Sequence, residues 1–415
     1  MKQKPEIMSP VGSYESLMGA IQGGADSVYF GIGNLNMRSR SSKNFSTDDL
    51  FRITAICKEK NVKSYLTLNT IIYDSEIEEM QQIVLKAKEA GISAIIASDI
   101  SVLEYCRKND VCVHISTQCN ITNLEAVRFY SQYADVIVTA RELSLKQVHE
   151  IYKGIEKDNI TGPSGKLVKI EVFVHGALCM AVSGKCYLSL DNMNFSANRG
   201  ACLQLCRRSY IVTDKEEGYE LEIDNEYIMS PKDLCTIGFL DKIIKAGISV
   251  MKIEGRGRGP EYVKTVTKCY KEAADAVINN NYSPEKIKQW EDQLKTVFNR
   301  GFWDGYYLGR KMGEWSERYG SQATKKKMYV GKVTNYFSNL GVAEVKIETK
   351  ELVAGDEIII SGPTTGVVNQ VAEEIRVDLK PVKQAAKGES CSLKTNELVR
   401  RGDKVYKLIQ SISDF

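Results

Sequence analysis

"GGADSVYF" (residues 23–30), "EAGISAIIA" (89–97), "QYADVIVT" (132–139) and "KAGISVMKI" (245–253) are four versions of one join. Each closes a helix-period segment, turns, and enters a short run rich in β-branched and aromatic residues. Gly24, Gly91 and Gly247 suit the left-handed position just beyond a helix C-terminus. Short apolar runs without polar alternation fit strands buried on both faces, as in a parallel sheet.

Outward from these joins, eight strand candidates appear: "EIMSPV" (6–11), "DSVYFGI" (26–32), "KSYLTLNT" (63–70), "SAIIAS" (93–98), "VHISTQ" (113–118), "DVIVTA" (135–140), "KIEVFVHG" (169–176) and "SVMKIEG" (249–255). Helix-period segments such as "SEIEEMQQIVLKAKEAG" (75–91) and "SLKQVHEIYKGIEK" (144–157) lie between them. Eight strand–helix units predict an α/β fold, a (β/α)8 TIM-like barrel. An open dinucleotide-binding sheet lacks its marker, because no G-x-G-x-x-G opens the first helix. The barrel is expected over residues 1–282, with a cysteine-rich insertion at about 176–235. A helical extension and linker follow at 283–324, the linker ending in the hinge-like "SQATKKK" (321–327). Short strands then read as a small C-terminal all-β barrel over 325–415: "YVGKVTNYF", "GVAEVKIE", "DEIIISG", "SCSLKT" and "DKVYKLI".

Hydrophobic residues at 43% and charged residues at 26% describe a soluble globular chain. No signal peptide opens it and no apolar run is long enough to cross a membrane, so the expectation is a cytoplasmic protein. Net charge is +3 from 56 basic and 53 acidic residues, which neither demands nor excludes a nucleic acid.

In such a barrel the chemistry sits at the C-terminal strand ends. Those ends supply Ser9, Gly31, Arg38, Asn69, Asp99, Gln118, Arg141, Glu142, His175, Glu254, Arg256 and Arg258. Taken singly, each is the kind of polar residue that caps a loop. Together they would line one arginine-rich mouth, with Arg199, Arg207 and Arg208 close by and "EGRGRGP" (254–260) as an anion site. The aromatic residues of "RGFWDGYY" (300–307) suit stacking on bases or packing in the core.

Five of the eleven cysteines (Cys179, Cys186, Cys202, Cys206 and Cys235) fall in the insertion after the seventh strand. An odd total and a reducing compartment argue against a complete disulfide framework. Buried thiols would account for Cys57, Cys106, Cys112 and Cys269, which lie in apolar patterns. Five thiols among Gly, Ser and Asn suggest a metal centre instead, and both zinc and an iron–sulfur cluster stay open. Proteolysis finds weak support: "HEIYK" at His149 supplies no H-E-x-x-H, and no G-x-S-x-G is present. A Cys179–His175 pair is the remaining protease candidate.

The stretch "EVFVHGALCMAVSGKCYLS" (171–189) resembles the signature of the U32 peptidase family, the collagenase-like proteins. "VYFG", "STQ", "ARELSL", "SANRGAC", "MSPKDLC", "KIEGR" and "EYV" follow in that family's order. The resemblance implies a barrel with a small β-domain, and an RNA-modifying hydroxylase as one branch. Members hydroxylate tRNA wobble uridine to 5-hydroxyuridine in a prephenate-dependent way; others act on ribosomal RNA cytidine or in quinone synthesis. By analogy with the quinone branch, a 4Fe–4S cluster would sit on Cys179, Cys186, Cys202 and Cys235, leaving Cys206 as a fifth thiol. The family's "CAQPCR" reads "CLQLCR" here. From the strand ends and the mouth, the catalytic candidates are His175, Glu254, Arg256, Gln118, Glu142 and Asn69, with Arg38, Arg141, Arg199, Arg256 and Arg258 as the candidates to hold prephenate. Partners would be tRNA, a small carboxylate metabolite, and a second subunit or another copy of the chain. A U32-type peptidase and a cluster-bearing RNA-binding scaffold are the alternatives.

Overall fold

The computed structural model describes residues 4–40, 44–211, 229–309, 314–316 and 320–411. Residues 212–228 of the expected insertion, and 310–313 and 317–319 of the extension, lie outside that set.

Eight parallel strands close into a barrel: β1 (Glu6–Pro10), β2 (Ser27–Gly31), β3 (Lys63–Leu68), β4 (Ala94–Ala97), β5 (Val113–Ile115), β6 (Val136–Val138), β7 (Lys169–Gly176) and, after one extra strand, β9 (Val250–Ile253). The barrel closes because β9 pairs in parallel with both β1 and β7. All eight coincide with the sequence candidates. The joins behave as expected: Gly24, Gly91 and Gly247 take φ of +82°, +73° and +91°. There the chain reverses from helix to strand, in a region where a side chain is strained.

Helices α1 (Tyr14–Gln22), α2 (Thr47–Glu59), α3 (Ile77–Glu89), α4 (Ile100–Lys108), α5 (Leu124–Tyr130) and α6 (Leu145–Lys157) follow the first six strands. Most open on a short polar cap. Ser13, Asp99 and Asn123 accept a backbone N–H of the first turn, and Ser46 and Ser144 form capping boxes with Asp49 and Gln147. α7 (Leu188–Met193) lies in the cysteine-rich insertion, and α8 (Leu240–Lys245), α9 (Pro260–Ile278) and α10 (Pro284–Lys295) complete the set. The insertion ends on a strand: Asp233 opens β8 (Asp233–Cys235), a short strand antiparallel to the end of β7 with His175 opposite Cys235.

Alternation along each strand sends one set of side chains outward against the helices and the other into the barrel. Met8, Tyr29, Tyr65, Ile96 and Val250 fill the interior. Charge is buried there too. Lys252 meets Glu171 at 2.8 Å, and the other Glu171 oxygen lies 3.3 Å from His114 Nδ1. All three are at least 94% buried, so each needs the others.

Phe302 and Trp303 form β10 beside β8, with Trp303 in the barrel core, so they are packing residues and not a stacking platform. Lys325–Lys327 do not form a hinge; they open β11 (Lys325–Phe337), which pairs with β20 (Lys404–Gln410). Around this pair an eight-stranded antiparallel sheet wraps its own core of Val330, Val345, Ile358, Ile375, Cys391 and Val405. It docks on the outside of the barrel. Gln22 of α1 donates to the Thr365 carbonyl (3.0 Å) and accepts from Val367 N–H (2.9 Å), and Lys264 of α9 donates to the Val367 carbonyl (2.6 Å).

Gly366 sits in that contact at φ +74°, where an added Cβ would meet Met18 and Gln22 within 2.8 Å. Gly388 has φ +92° but open space around it. Gly388→Ala should therefore cost only the left-handed backbone penalty of about 1–2 kcal/mol. Gly366→Ala should cost about 1–3 kcal/mol more through overpacking, read as a lower denaturant midpoint. Equal losses would mean that the docking contact is loose.

Candidate active site

The C-terminal strand ends open into a cavity of about 260 Å³. Its wall is built from residues on or just past β2 to β7 and β9, with the cysteine-rich insertion folded over it. Asn69, Gln118, Arg38, Arg141, Glu254, Arg256 and Arg258 of the predicted set all line it. Others do not. Ser9 faces α9, where its hydroxyl meets Thr267 at 2.7 Å. Asp99 caps α4 and also accepts from Ile72 N–H. Glu142 is exposed. Arg199 is spent on structure: it pairs with Glu76, donates to the Ile71 carbonyl (2.6 Å) and lies 3.9 Å over the Tyr73 ring. That ties the insertion to the loop before α3.

His175 departs most from its expected role. It is 1% exposed, boxed by the rings of Tyr262, Tyr270 and Phe302, with Nδ1 at 3.3 Å from Tyr270 Oη. Burial pushes its pKa down to about 3, so it stays neutral. It sits behind the cavity wall and pairs with no thiol there.

Electrostatics organise the cavity around Glu254. Its carboxylate is 12% exposed and meets Arg38 at 2.6 Å, while Tyr29 Oη donates to it at 3.2 Å. Burial raises its pKa, but Arg38, Arg141 and Arg256 outweigh that and bring it to about 2. Lys252 and Arg300 also line the cavity and face carboxylates, Glu171 and Asp233 respectively. Four more arginines line it with no carboxylate in ion-pair distance among the described residues: Arg141, Arg207, Arg256 and Arg258. Arg207 holds loop carbonyls at Leu178 and Pro231. Arg256 spans to Thr67 (2.8 Å) and Asn36 (3.0 Å), and Gly31 leaves it room, since a Cβ there would meet its guanidinium at 2.4 Å. Arg258 lies 3.4 Å over the Phe298 ring. Arg141 lies 4.0 Å over Phe173 and its buried Nε has no hydrogen-bond partner. The expected anion-binding arginine, Arg256, is thus largely occupied by neutral protein groups, whereas Arg141 and Arg258 keep donors without a partner among the described residues.

Cys179, Cys186, Cys202 and Cys206 line the same cavity. Cys206 is held above the usual thiol range by burial and by the neighbouring Cys179, Cys202 and Cys186 sulfurs, against the opposing pull of Arg207. Cys235, expected in the cage, is not among the lining residues. Its sulfur sits on β8, 3.8 Å from Tyr270 Oη, and burial pushes its pKa to about 11. Strand pairing with His175 turns it to the far side of the wall. Cys206, expected as the fifth thiol, does line the cavity. Among the described residues no three His, Cys, Asp or Glu side chains group closely enough to hold one metal ion. The thiols ring a space. Elsewhere Cys57, Cys106 and Cys269 are buried as expected, whereas Cys112 is exposed.

Sequence reasoning missed Lys252, Tyr29, Thr117 and Arg300. The first was readable in "VMKIEGR": a period of two puts Lys252 and Glu254 on one face.

Fold and site together define a TIM-like barrel protein with a thiol-ringed, arginine-lined cavity. Residues 12–317 match peptidase family U32, and the chain belongs to that family. It is 61% identical over 402 residues to a protein of Porphyromonas gingivalis (strain W83) named collagenase, covering 97% of each chain. It is 31% identical over 369 residues to tRNA hydroxylation protein P1 of Bacillus subtilis, covering 87% of this chain and 84% of the relative. Over 316 residues it is 32% identical to tRNA hydroxylation protein P of Helicobacter pylori (strain 26695), covering 74% of this chain and 72% of the relative. No helix among the described residues is long and apolar enough to cross a membrane.

A depressed carboxylate pKa stabilises the fold fully above the ordinary value and is lost as pH falls toward the folded one. Glu254→Gln should therefore destabilise the barrel by roughly 3–5 kcal/mol at neutral pH, since it removes the buried carboxylate that Arg38 meets at 2.6 Å. The gap between wild-type and variant melting temperatures should narrow between pH 4.5 and about 2. A gap that is constant over that range would show that Glu254 is not held ionised by the arginines.

Proposed function

We propose that the protein hydroxylates carbon 5 of a tRNA wobble uridine, with a 4Fe–4S cluster on Cys179, Cys186, Cys202 and Cys206 and prephenate as co-substrate. The observation that carries this reading is the sharing of one cavity by four thiols and by arginines without carboxylate partners. The donor set fits the cluster: it is all thiolate, soft, and spread around a space, and each iron of a cubane takes one sulfur. When bound, the cluster would supply one-electron redox chemistry beside the substrate. The chain's own residues do the rest. Arg141 and Arg258 line the cavity without a carboxylate partner among the described residues, and the planar fork of guanidinium suits a carboxylate there. Glu254, fixed as an anion, keeps Arg38 and Arg256 in place and prevents their collapse onto the ligand. Asn69, Ser116, Thr117 and Gln118 form a neutral polar wall suited to the edge of a base. Relatives named for tRNA hydroxylation support an RNA substrate.

A peptidase is the second reading, favoured by the name of the 61% identical relative. A thiol protease needs an imidazole in reach of its cysteine. His175 is buried among aromatic rings instead, and His114 and His149 do not line the cavity.

Protein purified without oxygen should carry about four irons per chain. Cys206→Ala should lose most of the iron and Cys235→Ala should keep it. In cells lacking the protein, 5-hydroxyuridine in tRNA nucleosides should disappear from the mass spectrum, returning with Cys235→Ala but not Cys206→Ala. Undiminished 5-hydroxyuridine in those cells, or gelatin cleavage abolished by Cys179→Ala, would replace this reading with the peptidase.

A further inference from the structure

The neutral wall of the cavity has a fixed hydrogen-bond polarity. Met37 N–H donates to Asn69 Oδ1 at 3.2 Å. A backbone N–H can only donate, so the Asn69 oxygen must face it and the Asn69 amino group must face the other way. That amino group reaches Ser116 Oγ and Gln118 Oε1, both at 3.4 Å. Ser116 Oγ also donates to Gln118 Oε1. Two donors therefore converge on the Gln118 oxygen and set the orientation of its amide. The Nε2 amino group, which has no partner among the described residues, is what Gln118 presents to the cavity it lines.

Position is fixed as firmly as polarity. Asn120, in the left-handed region at φ +49°, donates to the Gln118 carbonyl at 2.9 Å and to the Ser183 carbonyl at 3.4 Å. Gly184 of the cysteine-rich insertion, at φ +75°, packs so closely that a Cβ would meet Gln118 Cγ at 2.8 Å. The side chain is clamped between the β5 loop and the loop that carries Cys179 and Cys186. Next to it, the buried Thr117 hydroxyl has no hydrogen-bond partner. Buried polar atoms left open in a cavity wall point to a ligand.

We propose that Gln118 is a specificity-determining residue that selects a pyrimidine with an oxo group, rather than an amino group, at position 4. Its amino group donates to a carbonyl oxygen, which uracil offers and cytosine replaces with a second donor. Facing donors leave both groups unpaired in a confined site, and such mismatches are rejected strongly. This rests on the RNA reading above and adds the rule by which the cavity chooses its base. Ser116 and Asn69 act as positioning residues, since their hydrogen bonds orient Gln118.

The test measures binding of two anticodon stem–loop RNAs, identical except for uridine or cytidine at the target position, to anaerobically purified holoprotein. Wild type should prefer the uridine RNA by about tenfold or more. Gln118→Glu keeps an oxygen for Ser116 and Asn69 but turns the presented group into an acceptor, so the preference should vanish or reverse. Ser116→Ala should weaken it by a few-fold, because the amide can then turn over. Iron content should be unchanged in both, which separates lost recognition from a lost fold. A wild-type preference that survives Gln118→Glu intact overturns this assignment and leaves the RNA reading standing. Wild-type protein that binds neither RNA above a duplex control removes the RNA reading, and this assignment with it.

Discussion

Glu254 holds a negative charge at the end of β9, where little water reaches it, and the arginines around it are arranged by that charge. Removing it would leave Arg38, Arg141 and Arg256 repelling one another in a cavity of low polarity. With it in place, Arg38 is neutralised at 2.6 Å, and Arg256 is free to tie β9 to Thr67 and Asn36. Deeper in the barrel, Lys252 and Glu171 form a second pair that completes the interior. The surplus positive charge thus falls on Arg141, Arg207 and Arg258, which line the cavity with no carboxylate in ion-pair distance among the described residues.

The barrel was legible because its strands are short, apolar and separated by repeated joins. Those joins are local chemistry, a helix end and a left-handed glycine, so sequence alone identifies them. Partner choice among the thiols was not legible. Cys235 lies at a natural strand end in "SPKDLC", but pairing of Asp233–Cys235 with the end of β7 turns its sulfur toward Tyr270. Nothing in the local sequence announces that antiparallel pairing. Likewise His175 looked reactive at a strand end, yet three aromatic rings from distant segments enclose it. Arg199 and Arg256 were recognised as cations at the mouth, but their partners, Glu76 in one case and Thr67 and Asn36 in the other, come from sequence positions far away. Local propensity finds elements; which face of the wall a side chain takes is a tertiary fact.

A name shared with collagenases and an RNA-modifying chemistry are two accounts of one scaffold, and the cavity separates them by what each requires. Peptide hydrolysis needs an activated nucleophile with a base beside it. Here the only histidine near the insertion is kept neutral behind the wall. A redox centre needs several soft ligands around an enclosed space and a subsite for a charged co-reactant. The cavity brings together four thiols and several arginines without carboxylate partners among the described residues, which is what the proposed chemistry asks for.

The most direct measurement is diffraction from crystals grown without oxygen, collected on either side of the iron absorption edge. The account predicts an anomalous iron peak inside the cavity, bounded by the sulfurs of Cys179, Cys186, Cys202 and Cys206, with Cys235 outside it. A peak at the zinc edge in that position, or iron bound to Cys235 in place of Cys206, would contradict it.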